Sequence, residues 1–360
     1  MNTKTEVPNT SDEVTEEEES KGPLNLLRSS LGAQAGRNAG LLVILGALLL
    51  SLALTHPSFF ESTNLKVIGS QMVVLGLASI GMALLMIAAN IDLSVGSVFA
   101  LIACASALLA TRVNPYLAFF LALPMGALIG LINGVFVWRI KISPLIITLA
   151  GLSIYLGIAE LITNGTYVPS LPQAYASIGQ SHLLGIDTPI WVLVGVALFT
   201  HLVLSRTTIG RQIYAVGGNP EAAEIAGISV RRVVIGLFVV NGAMVGLSSA
   251  LQASRFDSAS TQFGTNLALD AVTAVILGGV AFTGGEGSLF GVSIAVILLT
   301  VVADALIVYH VNPFWSDVTK GGLLLVAVTL DQLTHDQREK YRTVLALREM
   351  RARQRQESSA

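Results

Sequence analysis

Between about Gly40 and Leu330 the chain repeats one pattern: apolar runs of roughly 16–23 residues separated by short polar or glycine-rich joints. Runs of that length suit a helix crossing a hydrocarbon core of about 30 Å. The predicted spans are about 40–55, 67–89, 94–110, 116–138, 144–163, 189–204, 233–253, 267–283, 287–308 and 316–332. The pattern therefore predicts an all-α, polytopic membrane protein of about ten transmembrane helices. The third, sixth and eighth runs are short and contain glycine, which marks each as a candidate broken or half helix.

Three joints interrupt this pattern most sharply. The first is N-I-D-L-S-V-G-S, Asn90 to Ser97, between the second and third runs. Irregular backbone at a membrane boundary is tolerated only where protein or water covers it. Asp92 in this joint has two readings. It caps the helix that follows, as carboxylates near helix N-termini do, or it lines a translocation path together with Asn90, Ser94 and Gly96.

The second joint is the loop from Ser205 to Arg232, containing Y-A-V-G-G-N-P-E-A-A-E-I-A-G-I-S-V-R-R. Gly217, Gly218, Asn219 and Pro220 predict a turn. Asn219 suits the N-cap and Pro220 the first helical position. Glu221 and Glu224 complement the helix N-terminus, Ala222, Ala223, Ile225 and Ala226 offer packing, and Gly227 ends the helix. The prediction is a two-turn helix outside the bilayer, either an ordinary capped loop or a docking element.

The third joint lies in L-D-A-V-T-A-V-I-L-G-G-V-A-F-T-G-G-E-G-S-L-F-G, Leu269 to Gly291. Gly278, Gly279, Gly284, Gly285 and Gly287 permit sharp turns and close helix approach. Like the first joint it ends in Gly-Ser, at Gly287-Ser288. Glycine-broken segments in corresponding places of two halves suggest an internal repeat around a central path.

Charge then orients the bundle. Only 12% of residues are charged, about half the usual soluble share, and mean hydropathy is +0.71. With an inner N-terminus, the inner side holds Lys21, Arg28, Arg37, Arg139, Lys141, Arg206, Arg211, Arg231, Arg232 and the basic tail after Arg338. The outer loops hold only Lys66, Arg112 and Arg255. That bias needs an even number of spans and predicts both termini in the cytoplasm. Residues 1–38 carry the acidic run Glu16 to Glu19 and predict a disordered tail, 39–332 the transmembrane domain, and 333–360 a basic cytoplasmic tail, solvated or touching anionic lipid. The first run starts too far along and is too long for a signal peptide, so none is expected. The net charge of −2 says nothing about partners.

Ionisable residues inside runs are Glu160, Asp270, Asp304, Asp317 and Lys320, all near predicted outer ends. With no carboxylate evident at mid-membrane, proton-coupled transport is disfavoured. Gln71, Asn133 and Asn241 are amides suited to helix–helix hydrogen bonds or to a polar path. The sequence has no phosphate loop, no H-E-x-x-H, no C-x-x-C and no G-x-S-x-G. Cys104 is the single cysteine, so no intrachain disulfide is available. The scattered histidines suggest no metal site.

Taken together the joints resemble the inner-membrane permeases of bacterial ABC importers for monosaccharides, within the branched-chain amino acid/ribose permease superfamily. The resemblance covers about residues 40–332. It rests on I-D-L-S-V-G (Ile91 to Gly96), L-I-N-G (Leu131 to Gly134) and T-x-x-G-R-x-I-Y-A-V-G-G-N-x-x-A-A (Thr207 to Ala223). It rests also on L-D-A-V-x-A-V-I-L-G-G (Leu269 to Gly279) and G-G-x-G-S-L-x-G (Gly284 to Gly291). Asn90 and Ala268 depart from the family pattern, where Gly and Glu are usual.

The resemblance implies an ABC permease fold and no enzymatic activity in this chain. It implies cytoplasmic ABC ATPase subunits that bind ATP and Mg, a periplasmic sugar-binding protein, and a second permease copy, identical or not. Membrane lipid is the surrounding partner, and no nucleic acid or cofactor is expected. Gly218 to Gly227 would be the coupling helix seated on the ATPase. Candidate path or hinge residues are Asn90, Asp92, Ser94, Gly96, Asn133, Asp270, Gly278, Gly279, Gly284, Gly285 and Gly287. The implied function is import of a pentose or related sugar or polyol across the inner membrane. A secondary transporter of a small polar solute is the alternative.

Overall fold

The computed structural model describes residues 23–140, 142–312, 314–329 and 332. The calls on residues 1–22 and 333–360 therefore fall outside the described residues, as does Lys141. The helices are α1 (Pro23–Thr55), α2 (Ser62–Ile87), α3 (Val95–Ala110), α4 (Pro115–Ile140), α5 (Pro144–Thr163), α6 (Gln173–Gln180) and α7 (Thr188–Arg206). After them come α8 (Thr208–Gly218), α9 (Pro220–Ile225), α10 (Val230–Phe256), α11 (Leu267–Leu277) and α12 (Leu289–Val308). A last helix, α13, covers 314–329.

Among the described residues, seven helices are long and apolar enough to cross a membrane: α2, α4, α5, α7, α10, α12 and the part of α1 from Asn38. Helices α3 and α11 are apolar but shorter. The pattern of runs thus corresponds to helices throughout, while a count of ten complete spans is not established. Three boundaries and one continuity differ most from expectation. The eighth run was expected to reach 283, but α11 stops at Leu277 and is only about 16 Å long, because the chain turns at Gly278 and Gly279 takes φ +90. The second run stops at Ile87, before Ala89, which adopts φ 56. The sixth, a candidate broken helix, is the continuous α7. Helix α1 begins at Pro23 and so takes in residues 23–38, which were expected to be tail.

The interior holds a large apolar core centred on α2 and α10, with α3, α11 and α12 around them, and a smaller cluster where α1 packs on α12. Helices α4 and α10 form the closest antiparallel pair. A Cβ on Gly126 would strike the carbonyl oxygen of Gly242, one on Gly130 that of Phe238, and one on Gly246 that of Ala122. The G-x-x-x-G-x-x-x-G of Gly126, Gly130 and Gly134, with G-x-x-x-G at Gly242 and Gly246, lets the backbones touch. Dispersion and weak Cα–H contacts rather than the hydrophobic effect then hold the pair.

The two ends of α10, about 40 Å apart, carry different architecture. At the Val230 end lie α8 and α9. At the Phe256 end α6 packs on α10, where Ser254 Oγ accepts from Gly179 N at 2.6 Å and donates to the Tyr175 carbonyl at 2.6 Å. Two short antiparallel ladders brace this end, β1 (Val168–Pro169) with β4 (Ser258–Ala259) and β2 (His182–Leu183) with β3 (Ile186–Asp187). Arg255 lies 3.5 Å from Asp187.

Candidate functional site

The first joint folds back into the bundle. After Ala88 the chain turns at Ala89, and Asn90 Nδ2 donates to the Ala88 carbonyl at 2.7 Å. Asp92 then lies buried against α10. Its Oδ1 accepts from Ser94 N at 2.9 Å and Ser94 Oγ at 2.5 Å, and its Oδ2 accepts from Asn241 Nδ2 at 3.1 Å. Ser94, not Asp92, occupies the N-cap position of α3. The capping expectation therefore shifts by two residues: Asp92 closes an Asx-type turn before the helix and supports it from outside.

The hydrogen bonds continue outward in one direction. Asn133 Nδ2 donates to Ser94 Oγ at 3.0 Å, and Tyr155 Oη donates to Asn133 Oδ1 at 2.6 Å. Helix α10 thus donates to the carboxylate directly, as its acceptor-only chemistry requires, while α4 and α5 are linked to it through Ser94. Asn241 sits near the middle of α10. A carboxylate is therefore held buried within the bundle. The close α4–α10 approach makes this reach possible, since Asn133 neighbours Gly134 and Asn241 neighbours Gly242. Gly96 allows α3 to begin here, because a Cβ on it would strike the Gly264 carbonyl oxygen.

The third joint is built from backbone. Gly284 and Gly285 adopt φ +83 and +75, a region open to glycine without strain. Ser288 caps α12 by accepting from Phe290 N at 3.2 Å. Gly278 seats α11 on the first turn of α12, where a Cβ would come within 2.5 Å of the Val292 backbone. Gly287 accepts from Tyr214 Oη through its carbonyl at 2.8 Å.

The two joints meet. Gly285 N donates to the Ile87 carbonyl at 2.8 Å, and a Cβ on Gly284 would sit 2.8 Å from Ala89 N. The end of α8 closes the junction, because a Cβ on Gly217 would strike the Ile87 carbonyl oxygen and one on Gly285 would sit 2.8 Å from Gly218 Cα. Gly217 and Gly218 were expected in a turn, yet both are helical and end α8. Burial of Gly217 against the two joints stabilises a helical glycine that propensity alone disfavours, while Gly218 beside it is exposed.

Helix α9 hangs directly from this junction. Asn219 Oδ1 accepts from Ala222 N at 2.9 Å, with Pro220 in the first turn. Gly227 takes φ +83, and Gly227 N and Ile228 N donate to the Glu224 and Ala223 carbonyls, a Schellman closure. Ala223 is buried, whereas Ile225 is 89% exposed. Glu221 and Glu224 flank it on a solvent-facing helix.

Asp270, the remaining acidic candidate, lies elsewhere. It occupies the first turn of α11 and pairs with Lys320 of α13 at 2.7 Å. No cluster of metal-ligating side chains occurs among the described residues. The glycine faces of α4 and α10, the helical α8 and the Tyr155–Asn133 link were not anticipated. Of these, the glycine spacing was readable in advance, and Asn133 was expected to bond between helices, though not to Tyr155 in particular.

A bundle with breaks in two helices and a capped amphipathic bracket at one end defines a multi-pass transport protein. Residues 65–328 match the model of the branched-chain amino acid transport system / permease component, and the chain belongs to this family. The L-arabinose ABC transporter permease protein of Azospirillum brasilense is 33% identical over 302 residues, covering 83% of this chain and 89% of that protein. The ribose import permease protein of Bacillus subtilis is 34% identical, covering 79% and 89%. The galactose/methyl galactoside import permease protein of Salmonella typhimurium is 32% identical, covering 83% and 95%. No solved structure matches.

Proposed function

We propose that this chain is the membrane-spanning subunit of an ATP-driven importer for a monosaccharide, a pentose or related sugar or polyol. The carrying observation is the junction in which Gly217, Ile87 and Gly285 lock α8–α9 to both helix breaks. A push on α9 reaches both breaks through backbone contacts. That is the requirement for switching a bundle between two packings. The sugar class is favoured over amino acids by the arabinose, ribose and galactose permeases among the relatives.

In this reading the α9 end is cytoplasmic and the chain lies in a bacterial inner membrane with both termini inside. Arg139, Arg206, Arg211, Arg231 and Arg232 gather toward that end, which supports the orientation. Cytoplasmic ATPase subunits bind ATP and Mg and receive Ile225 and its flanking glutamates in a cleft. A sugar-binding protein delivers substrate at the α6 end, and a second permease copy completes the path. This chain does no bond chemistry.

The test is uptake of radiolabelled sugar into proteoliposomes holding the whole complex. Gly227→Pro cannot adopt the φ of +83 found there, and Glu221→Arg reverses a charge at the proposed contact. Both variants are expected to remain in the membrane and to lose ATP-driven uptake at least tenfold. Wild-type uptake in both would refute docking through α9. Uptake driven by a proton gradient without the ATPase would instead identify a secondary transporter.

A further inference from the structure

Between α2, α10, α11, α12 and α13 lies a cavity of about 230 Å³ whose polar wall is Gln71, Gln252, Asp270, Thr300 and Lys320. We propose that this cavity binds the hydroxyl groups of the monosaccharide in transit, an inference that rests on the importer reading above.

Several features select a small, neutral, hydroxyl-rich ligand. The volume lies below the ~300–1,000 Å³ of pockets for drug-sized molecules, which suits a small solute. Asp270 and Lys320 compensate each other at 2.7 Å, which leaves the wall without net charge. Gln71 and Gln252 make no side-chain hydrogen bond among the described residues, and each offers both a donor and an acceptor. Thr300 donates to the Val296 carbonyl at 2.8 Å, so its oxygen still accepts. A sugar hydroxyl both donates and accepts, and such a wall can satisfy it from either side. A solute with net charge would meet no unpaired counter-charge, while an apolar one would leave two amides unsatisfied.

Placement supports passage. Gln252 is in the last two turns of α10 and Asp270 in the first turn of α11, so the cavity lies toward the α6 end, away from α9. A second cavity of about 140 Å³ also borders Asp270 and Lys320 and adds Asn266, Thr273 and Asp317. The ion pair thus lines both cavities.

The experiment measures, in proteoliposomes with the complete complex and loaded binding protein, sugar taken up per ATP hydrolysed. D-ribose, L-arabinose and D-galactose serve as probes, with binding-protein-stimulated ATP hydrolysis as the internal control for folding and assembly. Gln71→Leu/Gln252→Leu is expected to lower the ratio at least tenfold, and each single Leu variant about threefold. The singles also serve if the double variant does not assemble. An unchanged ratio in the variants overturns the cavity as a sugar site. Absence of ATP-driven uptake of any sugar by the unaltered complex would instead overturn the importer reading.

Discussion

The break between α2 and α3 and the break between α11 and α12 do the same geometric work by different means. The first is held by side chains: Asp92 collects Ser94 and Asn241 directly, and Asn133 and Tyr155 through Ser94. The second is held by backbone, with glycines at positive φ pressed on Ile87, Ala89 and Gly218. The first therefore depends on how α4, α5 and α10 are packed, and the second on where α8 and α9 sit. Because the breaks touch, a change in docking and a change in bundle packing act on one junction.

The greatest effect is expected where the backbone contact is tightest. Gly217→Ala places a methyl on the Ile87 carbonyl oxygen and within 2.7 Å of Gly285 N, and neither atom belongs to a flexible side chain. Overpacking together with loss of the Gly285–Ile87 bond should cost about 4 kcal/mol. Its neighbour gives the contrast. A Cβ on Gly218 meets nothing within 4 Å, and Gly218→Ala should stabilise α8 by up to ~1 kcal/mol. Thermal unfolding of the purified complex, read with ATP-driven uptake, checks the pair. Equal behaviour of the two variants would remove the junction from the mechanism.

Next in size is truncation of the side-chain joint. Asp92→Ala strips the acceptor from three donors in a buried site and should cost about 3 kcal/mol. The equivalent test at the other break, Ser288→Ala, removes one cap bond and should cost about 1 kcal/mol. The measured quantity is the difference between their unfolding midpoints. If Ser288→Ala destabilises as much as Asp92→Ala, the two breaks are not built differently.

What the sequence made legible follows the range of the forces involved. Helices read well because apolar runs are local and long. The α9 caps at Asn219, Pro220 and Gly227 read well because capping joins residues only a few positions apart. The bond from Asn241 to Asp92 spans 149 positions, and no local pattern encodes it. The Gly217-Gly218 pair reads locally as a turn. Gly217 is held in the helix by Ile87 and Gly285, contacts that no local pattern encodes. The polar cavity was half visible: Gln71, Asp270 and Lys320 were marked as polar interruptions, but nothing local brings them together.

The smallest expected effect concerns a side-chain bond from α8 to the glycine break. Tyr214 Oη donates to the Gly287 carbonyl at 2.8 Å, and burial pushes its phenol above the ordinary value. Tyr214→Phe removes that bond and keeps the ring, so it should cost about 1 kcal/mol. The pH dependence follows in sign. With the folded value raised, the neutral phenol's contribution is complete below the unfolded value of about 10 and is lost as pH climbs through the higher folded value. Unfolding midpoints of the unaltered protein should therefore fall more steeply in that alkaline window than those of Tyr214→Phe. Parallel curves would mean that the phenol is not desolvated in the folded protein.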